Sequence, residues 1–483
     1  MLPVLGQTTL SLDSCRALAL RNNKQLKASA TNREVALYTR KAARTSYLPK
    51  VDAVAGYEHT TKQISLLNKE QKDALGNLGS GIATEMGGSL EQVMASLVQQ
   101  GILSPQSAQE LGALIGSLSP SMAQAGNYLG QSIVNAFKTD TRNMYAGSVV
   151  VKQPIYMGGA ITAANRMADI AEELALNNLQ SKTQGTLYNI DNVYWTVVSL
   201  RQKQKLANSY RELVAKLSDD VHKMIDQGVA TKADGLKVDV RVNEADIQVT
   251  QVDDGLVVAK MLLCQLCGLP LDEELTLADE NGDSLNGTDD VATMISDDTE
   301  PDRPELRMLQ NSIDMSREAT KMLRAEYLPH VALTGGYLIT NPNTFDGFQK
   351  RFSGVWNIGV LVQVPVWNWG EGKYKIRASK ASVQIAQLEY DDAREKIELE
   401  VTQSRFKLSE ANKRLRMAWQ NIASAEENLR CATLGFREGV IESSDVLAAQ
   451  TAWQLAHSQK IDAEIEVRLA KVNLERALGI LKN

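Results

Sequence analysis

Apolar residues recur along this chain with two different periods, and proline marks where one gives way to the other. Val401, Leu408, Leu415, Ile422, Leu429 and Phe436 form a row at a spacing of seven, and Ser404, Ala411, Ala418, Ala425 and Ala432 form a second row three residues on. That is an a/d heptad seam with large residues facing small ones, which lets helices approach closely. Upstream, Ile376, Val383, Tyr390 and Ile397 keep another such row, offset by a four-residue stutter between Ile397 and Val401. An earlier reach is similar but less regular, with Ile190, Val193, Val197 and Leu200, then Leu206, Leu213 and Leu217. No proline falls between Pro154 and Pro270 or after Pro365. Proline costs about 3 kcal/mol inside a helix, so these are the two helical reaches. From Ala160 to Gln227 is about 68 residues, on the order of 100 Å of helix.

The residues before each opening proline alternate instead. Ile358, Val360, Val362 and Val364 fall on one face, with Asn357, Gly359, Leu361 and Gln363 on the other. Strands are expected near Lys50 to Tyr57, Gly147 to Pro154, Val331 to Ile339 and Asn357 to Val364. Shorter helices are expected over Leu12 to Ser46, over Glu305 to Glu326, and from beyond Gly228 to Gly268. The strands approach the roughly 9 to 11 residues of a tilted membrane strand. Four strands cannot close a barrel, since the smallest natural ones have about 8, so in a membrane the chain must oligomerise.

The pattern is duplicated. Tyr47-Leu-Pro-Lys-Val51 recurs as Tyr327-Leu-Pro-His-Val331, and Gln153-Pro-Ile-Tyr-Met-Gly-Gly159 recurs loosely as Val364-Pro-Val-Trp-Asn-Trp-Gly370. A constant offset of 211 then pairs Trp195 with Phe406, Gly228 with Gly439, Asp234 with Asp445 and Gly268 with Gly479 without a gap. Helices of fixed length enforce such an alignment, because an insertion would shift their register. The chain divides into a first repeat over 1–270, an acidic, solvated linker over 271–304 and a second repeat over 305–483, with helical tips near 228–234 and 439–445. The first repeat carries a long insert, 59–146, expected at the extracellular end. Ser89 and Ser104-Pro105 mark short helix starts within it.

Composition narrows the function. A formal charge of −6 offers no basic surface for nucleic acid. Aromatic residues are only 5% of the chain, yet Tyr337, Phe345, Phe348, Phe352, Trp356, Trp367 and Trp369 crowd one stretch beside the second strand pair. Membrane-interface belts account for this, with a small aromatic core under a loop as the other reading. No run of 18 to 20 apolar residues forms a spanning helix. The start, Met1 to Gln7, is too short for a complete signal peptide. Cys15, Cys264, Cys267 and Cys431 read as small residues in helix seams, with no lipid-attachment box at Cys15. Cys264-Gln-Leu-Cys267 lacks a completed metal set, and Asp279-Glu-Asn-Gly-Asp283 has Ser284 where a calcium loop needs glycine. Four scattered histidines and no phosphate or dinucleotide fingerprint argue against an enzyme, and no catalytic, cofactor or metal residues are assigned.

The paired strand openings and exits, with the turns Gln227-Gly-Val-Ala-Thr-Lys-Ala-Asp234 and Glu438-Gly-Val-Ile-Glu-Ser-Ser-Asp445, resemble the TolC-like outer-membrane factors over nearly the whole chain. The resemblance implies a mainly α fold with a small β part. Its form would be a trimeric 12-stranded transmembrane β-barrel continued by a 12-helix periplasmic α-barrel, each chain holding two tandem repeats. It implies an exit duct of a tripartite efflux pump or type I secretion system in the Gram-negative outer membrane. The implied partners are the homotrimer itself, a periplasmic adaptor (membrane fusion protein), an inner-membrane transporter and outer-membrane lipid. Gly228 and Gly439 read as left-handed cap glycines. Asp234 and Asp445 are either first-turn caps or, as the resemblance implies for Asp445, part of a cation-selecting carboxylate ring at the periplasmic gate. The pattern is incomplete, because Ala448 stands where a second carboxylate is usual, and Phe436 and Ile441 replace a tip Tyr and Arg. The competing class is a non-conducting coiled-coil structural protein of the envelope.

Overall fold

The computed structural model describes residues 9–59, 143–281, 301–341, 343, 345 and 351–481, with isolated positions between 77 and 131. In chain order its elements are β1 (Thr9–Leu10), α1 (Leu12–Asn22), α2 (Lys24–Arg44), β2 (Lys50–His59), β3 (Asn143–Met157), α3 (Ala160–Asp226), α4 (Lys232–Cys267), β4 (Thr276–Leu277), α5 (Pro304–Ala325), β5 (His330–Asn341), β6 (Ser353–Gln363), α6 (Glu371–Arg437) and α7 (Ser443–Leu478). The two long helices, α3 and α6, are each 67 residues, and the helices that return from them, α4 and α7, are each 36. The molecule is mainly helical with one small four-stranded sheet. The expected first helix is broken at Asn23, whose backbone turns extended. Its side-chain oxygen accepts from the Gln25 and Leu26 amides at 2.8 and 3.2 Å, so the break starts a new helix.

Two compact units cut across the sequential halves, because each long helix contributes to both. One comprises Ala30–Asn178 and Glu305–Ala393, the other Met1–Ser29, Leu179–Pro304 and Arg394–Asn483. The first holds the antiparallel sheet, in the order β2-β3-β5-β6. Its strands are longer than their alternation suggested. The ladder of β2 with β3 runs from Lys50↔Lys152 to His59↔Asn143, so His59 and residues 143–146, expected in the insert, are strand. Pro154 sits where the β3 register shifts, as its missing N–H requires. Beside the sheet, Met167, Ala171 and Leu174 of α3 pack on Met315, Ala319 and Met322 of α5.

Nearly all of the insert, including its helix signals at Ser89 and Ser104, lies outside the described residues. Val98, a described position, packs against the α3–α5 cluster, and Gln124 accepts from the Gln363 amide at 3.0 Å. Gln363 is at the helix-side end of β6, paired with His330, so these two points of the insert meet the sheet's helical end.

At each strand-to-helix junction two successive residues take positive φ. The first junction uses Gly158 (+63°) and Gly159 (+90°), the second Trp369 (+52°) and Gly370 (+81°). A side chain at 158 would lie 2.5 Å from the Ala325 carbonyl oxygen, so only glycine fits there. Trp369 accepts a left-handed backbone at about 1–3 kcal/mol and leaves its indole 87% exposed.

In the second unit most of the two heptad rows is buried, with Ala425, Leu429 and Phe436 half-buried. Val401, Leu408, Leu415, Ile422, Ser404, Ala411, Ala418 and Ala432 are buried among exposed neighbours. In the first reach the seam differs from expectation: Ala207, Tyr210, Val214, Leu217 and Val221 face inward, while Leu206 and Leu213 are half-buried. Small and aromatic residues complete that seam, and a search for large aliphatics passes over them. The linker also departs from the solvated reading over 271–281. Leu275 and Leu277 join a core with Ile190, Tyr194, Val197 and Leu263, and β4 pairs in parallel with β1. Glu280 is buried beside Lys260 at 3.3 Å and Arg201 at 3.9 Å, and its carbonyl accepts from Lys205 at 3.0 Å. Tyr194 donates to Asp279 at 2.5 Å, so these acids pin the segment to α3 and α4. Residues 282–300 lie outside the described residues.

Two glycines with the same left-handed backbone separate strain from crowding. Gly439 (φ +75°) has nothing within 4 Å of an added Cβ, whereas at Gly268 (φ +71°) that atom would lie 2.5 Å from Asn22 Cβ. Gly439→Ala should destabilise the fold by about 1 kcal/mol, and Gly268→Ala by a further 1–3 kcal/mol or so. Denaturant unfolding of the two variants is the measurement, and equal losses would refute the crowding at Asn22.

Candidate functional site: two helical tips and a two-faced sheet

The two tips share one backbone. After α3, the amide of Gly228 donates to Ile225 O at 2.9 Å and those of Val229 and Ala230 to Met224 O at 2.8 and 3.2 Å. After α6, the amide of Gly439 donates to Phe436 O at 3.0 Å and those of Val440 and Ile441 to Gly435 O at 2.8 and 3.2 Å. In both, the left-handed glycine lets the amides behind it close the open carbonyls of the long helix.

Side chains then make the tips different. Thr231 caps α4, and Asp234 accepts from the Thr231 amide at 3.2 Å and its hydroxyl at 2.6 Å, closing a capping box, with Lys237 at 3.5 Å. Those bonds, from the Thr231 hydroxyl first and then its amide, hold the Asp234 carboxyl below its ordinary value. At the second tip Glu442 occupies the cap position without a side-chain cap bond. Asp445 is exposed, and among the described residues its carboxylate has no hydrogen bond or ion pair. Ile441 and Phe436, which replace the Arg and Tyr expected there, join one apolar cluster with Leu429 and Val446. Ile441 Cδ1 lies 2.6 Å from where a Cβ on Gly435 would be, so this tip is held by apolar packing on a bare glycine.

The sheet has two chemically distinct faces. Cross-strand partners point the same way, so the registers sort every position. Lys50, Asp52, Glu58 and Lys152, which are all the Asp, Glu and Lys residues of the four strands, share one face with Thr334, Asn357 and Gln363. The other face carries Val51, Val149, Val151, Ile339, Ile358, Val360 and Val362, and most of these are exposed. Tyr57, Tyr145, Tyr337 and Trp356 cap its loop end, with Phe352 5.8 Å from the Tyr145 ring. The expected interface aromatics thus fall into two groups. Tyr337, Phe352 and Trp356 gather at the loop end, and Trp367 and Trp369, packed edge to face at 5.8 Å, at the helix end. Trp356 is 74% exposed and Trp367 76%. From Val51 to Tyr57 the strand rises about 20 Å, close to the roughly 25 Å apolar band of outer-membrane barrels.

Residues 296–480 match the family model described as outer membrane efflux protein. The chain carries that family's domain over this span. It is an outer-membrane channel protein of a Gram-negative cell, of the efflux and secretion type. A curated relative, the alkaline protease secretion protein AprF of Pseudomonas aeruginosa, is 21% identical over 351 residues, 71% of this chain and 72% of the relative. Two solved structures share the fold of this chain. The outer-membrane channel OprN has a TM-score of 0.71 at 16% identity, covering 97% of this chain and 89% of that one. The outer membrane protein VceC of Vibrio cholerae also gives 0.71, at 13% identity, covering 97% and 96%.

Sequence reasoning missed one cluster. Cys15, Cys264 and Cys267, read as separate seam residues, are all buried in the core that holds the linker. Only the recurrence of cysteine in α1 and at the end of α4 hinted at it.

The tips predict a divided response to acid and to substitution. The lowered Asp234 carboxyl stabilises the fold above the ordinary carboxyl range, and that contribution fades as pH falls through the lowered value. Thr231→Ala should reduce the midpoint of thermal unfolding at pH 7 and flatten its dependence on pH below about 4, whereas Asp445→Ala should leave the midpoint at pH 7 unchanged. Scanning calorimetry across that range checks this, and a matching loss in Asp445→Ala would make that residue a cap as well.

Proposed function

We propose that three copies of this chain form the exit duct of a tripartite efflux pump or type I secretion system. Each chain contributes two tandem repeats. Three sheets of four strands make a twelve-stranded barrel in the outer membrane, and the helices make a twelve-helix barrel in the periplasm. The observation that carries this reading is the exposed apolar face, bounded at both ends by exposed aromatics, with every strand carboxylate and ammonium on the opposite face. Lipid on the first face and water on the second is what a pore requires. Pairing β6 of one copy with β2 of the next removes both open edges. A non-conducting coiled-coil protein of the envelope would have no use for tryptophans left bare beside a bare valine face.

Transport through the duct is passive conduction, without catalysis, driven by an inner-membrane transporter through a periplasmic adaptor. At its periplasmic mouth three Asp445 carboxylates, free of local partners, form a ring that favours cations. Asp234 closes its own helix and contributes less. The apolar contact of Ile441 on Gly435 holds the second tip in place of the missing Arg.

Conductance in planar bilayers tests the channel and its mouth together. The protein should give trimer-sized, cation-selective steps in detergent-solubilised form. Asp445→Asn should reduce the cation-to-anion permeability ratio several-fold, and Asp234→Asn should change it little. Equal ratios in the parent and Asp445→Asn would place the selectivity elsewhere, and a stable water-soluble monomer would remove the channel itself. Orientation has its own check. Cysteines at His59 and Asn143, the loop end of the sheet, should react with an impermeant maleimide on intact cells, while a cysteine at the packed Val98 should stay unlabelled. Labelling confined to Val98→Cys would invert the assignment.

A further inference from the structure

Three of the four cysteines meet in one core. Cys15 on α1 and Cys264 and Cys267 at the end of α4 are all free and fully buried, and Cys431 is exposed. Among the described residues no group of His, Cys, Asp and Glu side chains is arranged to hold a metal ion, so a thiolate–metal site does not account for the cluster.

Local contacts divide the trio. Cys264 Sγ points to the Glu273 carbonyl, 3.9 Å away on the segment after α4. Cys267 Sγ points the other way, to the Cys15 carbonyl at 3.8 Å, which brings the two residues together across α1 and α4. The backbones carrying this pair are held together. Asn22 donates from its side chain to the Cys267 carbonyl at 2.9 Å, and the left-handed Gly268 leaves no room between that turn and Asn22 Cβ. Two cysteines brought together on helices docked in this way meet the first demand of a disulfide, which is neighbouring residues that need no movement of the backbone.

We propose that Cys15 and Cys267 form a disulfide that staples α1 to the end of α4. The proposal rests on the outer-membrane reading, because a chain that folds in the periplasm meets an oxidising compartment. The oxidant is a reactive disulfide of a periplasmic thiol oxidant, written RS–SR. The Cys15 thiolate attacks one of its sulfurs, forming a mixed disulfide and releasing RS⁻. The Cys267 thiolate then attacks the Cys15 sulfur, forming the Cys15–Cys267 bond and releasing the second RS⁻. The chain loses two electrons and two protons, and the oxidant is reduced to two RSH. Reaction precedes the docking of α1, because both sulfurs are out of reach of any oxidant in the folded core. Once formed, the bond closes the loop containing β2, β3 and α3, and it is shielded from reductant by the same burial.

The test is a thiol count on protein purified in detergent from the outer-membrane fraction, denatured in the presence of a maleimide without reductant. The expected result is two labelled thiols of the four, Cys264 and Cys431, with a linked Cys15–Cys267 peptide by mass spectrometry. Cys15→Ser should then show three labelled thiols. Should that variant fail to fold, Cys264→Ala/Cys431→Ala, which keeps the pair, should show none without reductant and two after reduction. Four labelled thiols in the parent, or a peptide linking Cys264 to Cys267, would overturn the proposal. Membrane fractionation reads the location separately, so a fully reduced protein in the outer membrane would sink the disulfide and leave the channel standing.

Discussion

A backbone N–H or C=O placed in hydrocarbon without a partner costs several kcal/mol, and water is not there to supply one. The sheet of this chain has two unpaired edges, β2 and β6, and an apolar face suited to lipid. In the proposed barrel those two facts are reconciled, because edges from different copies meet. Much else follows from that closure. The charges must line the inside, the aromatics must sit where the band ends, and the strand exits must turn sharply into helices. Gly158-Gly159 and Trp369-Gly370 make that turn in left-handed backbone. The second exit tolerates a tryptophan in a strained conformation, and its indole is exposed.

The tips show how one backbone can serve two purposes. The same hydrogen bonds close α3 behind Gly228 and α6 behind Gly439. Asp234 then spends its oxygens on Thr231, which stabilises the start of α4 and leaves little carboxylate for a passing ion. Asp445 has no such engagement, so its charge remains available to whatever lies beyond the tip. A carboxylate that caps and one left unengaged cannot be told apart by position, since each stands six residues past its glycine.

The second unit is held by a few desolvated ion pairs within aliphatic packing. Arg16 binds Asp191 through two bonds, at 2.8 and 2.6 Å, with the Asp191 side chain wholly buried. Arg303 reaches Glu400 at 3.2 Å and the carbonyls of Arg476 and Ala477 at the end of α7. Removing one partner of such a pair strands a buried charge, which makes these contacts more specific than stabilising. With Glu280 among its cations, they fix where the segment between the halves runs.

How much was legible in the chain depended on the range of the interaction. The lengths of the long helices, the duplication at an offset of 211, the alternating strands and the glycine turns could be read from the residues, because each is set by local backbone preference and periodicity. The exposed aromatics could be read too, since they stand beside strands whose alternation names their face. Other features could not. The true seam of α3, running through Ala207, Tyr210 and Val214, depends on what the facing helix offers. The burial of Glu280 depends on Lys260 and Arg201, which the chain brings from distant positions. The meeting of Cys15 with Cys267 depends on how α1 docks against α4. Periodicity along one segment records which side of it is dry, and only the tertiary structure decides which partner dries it.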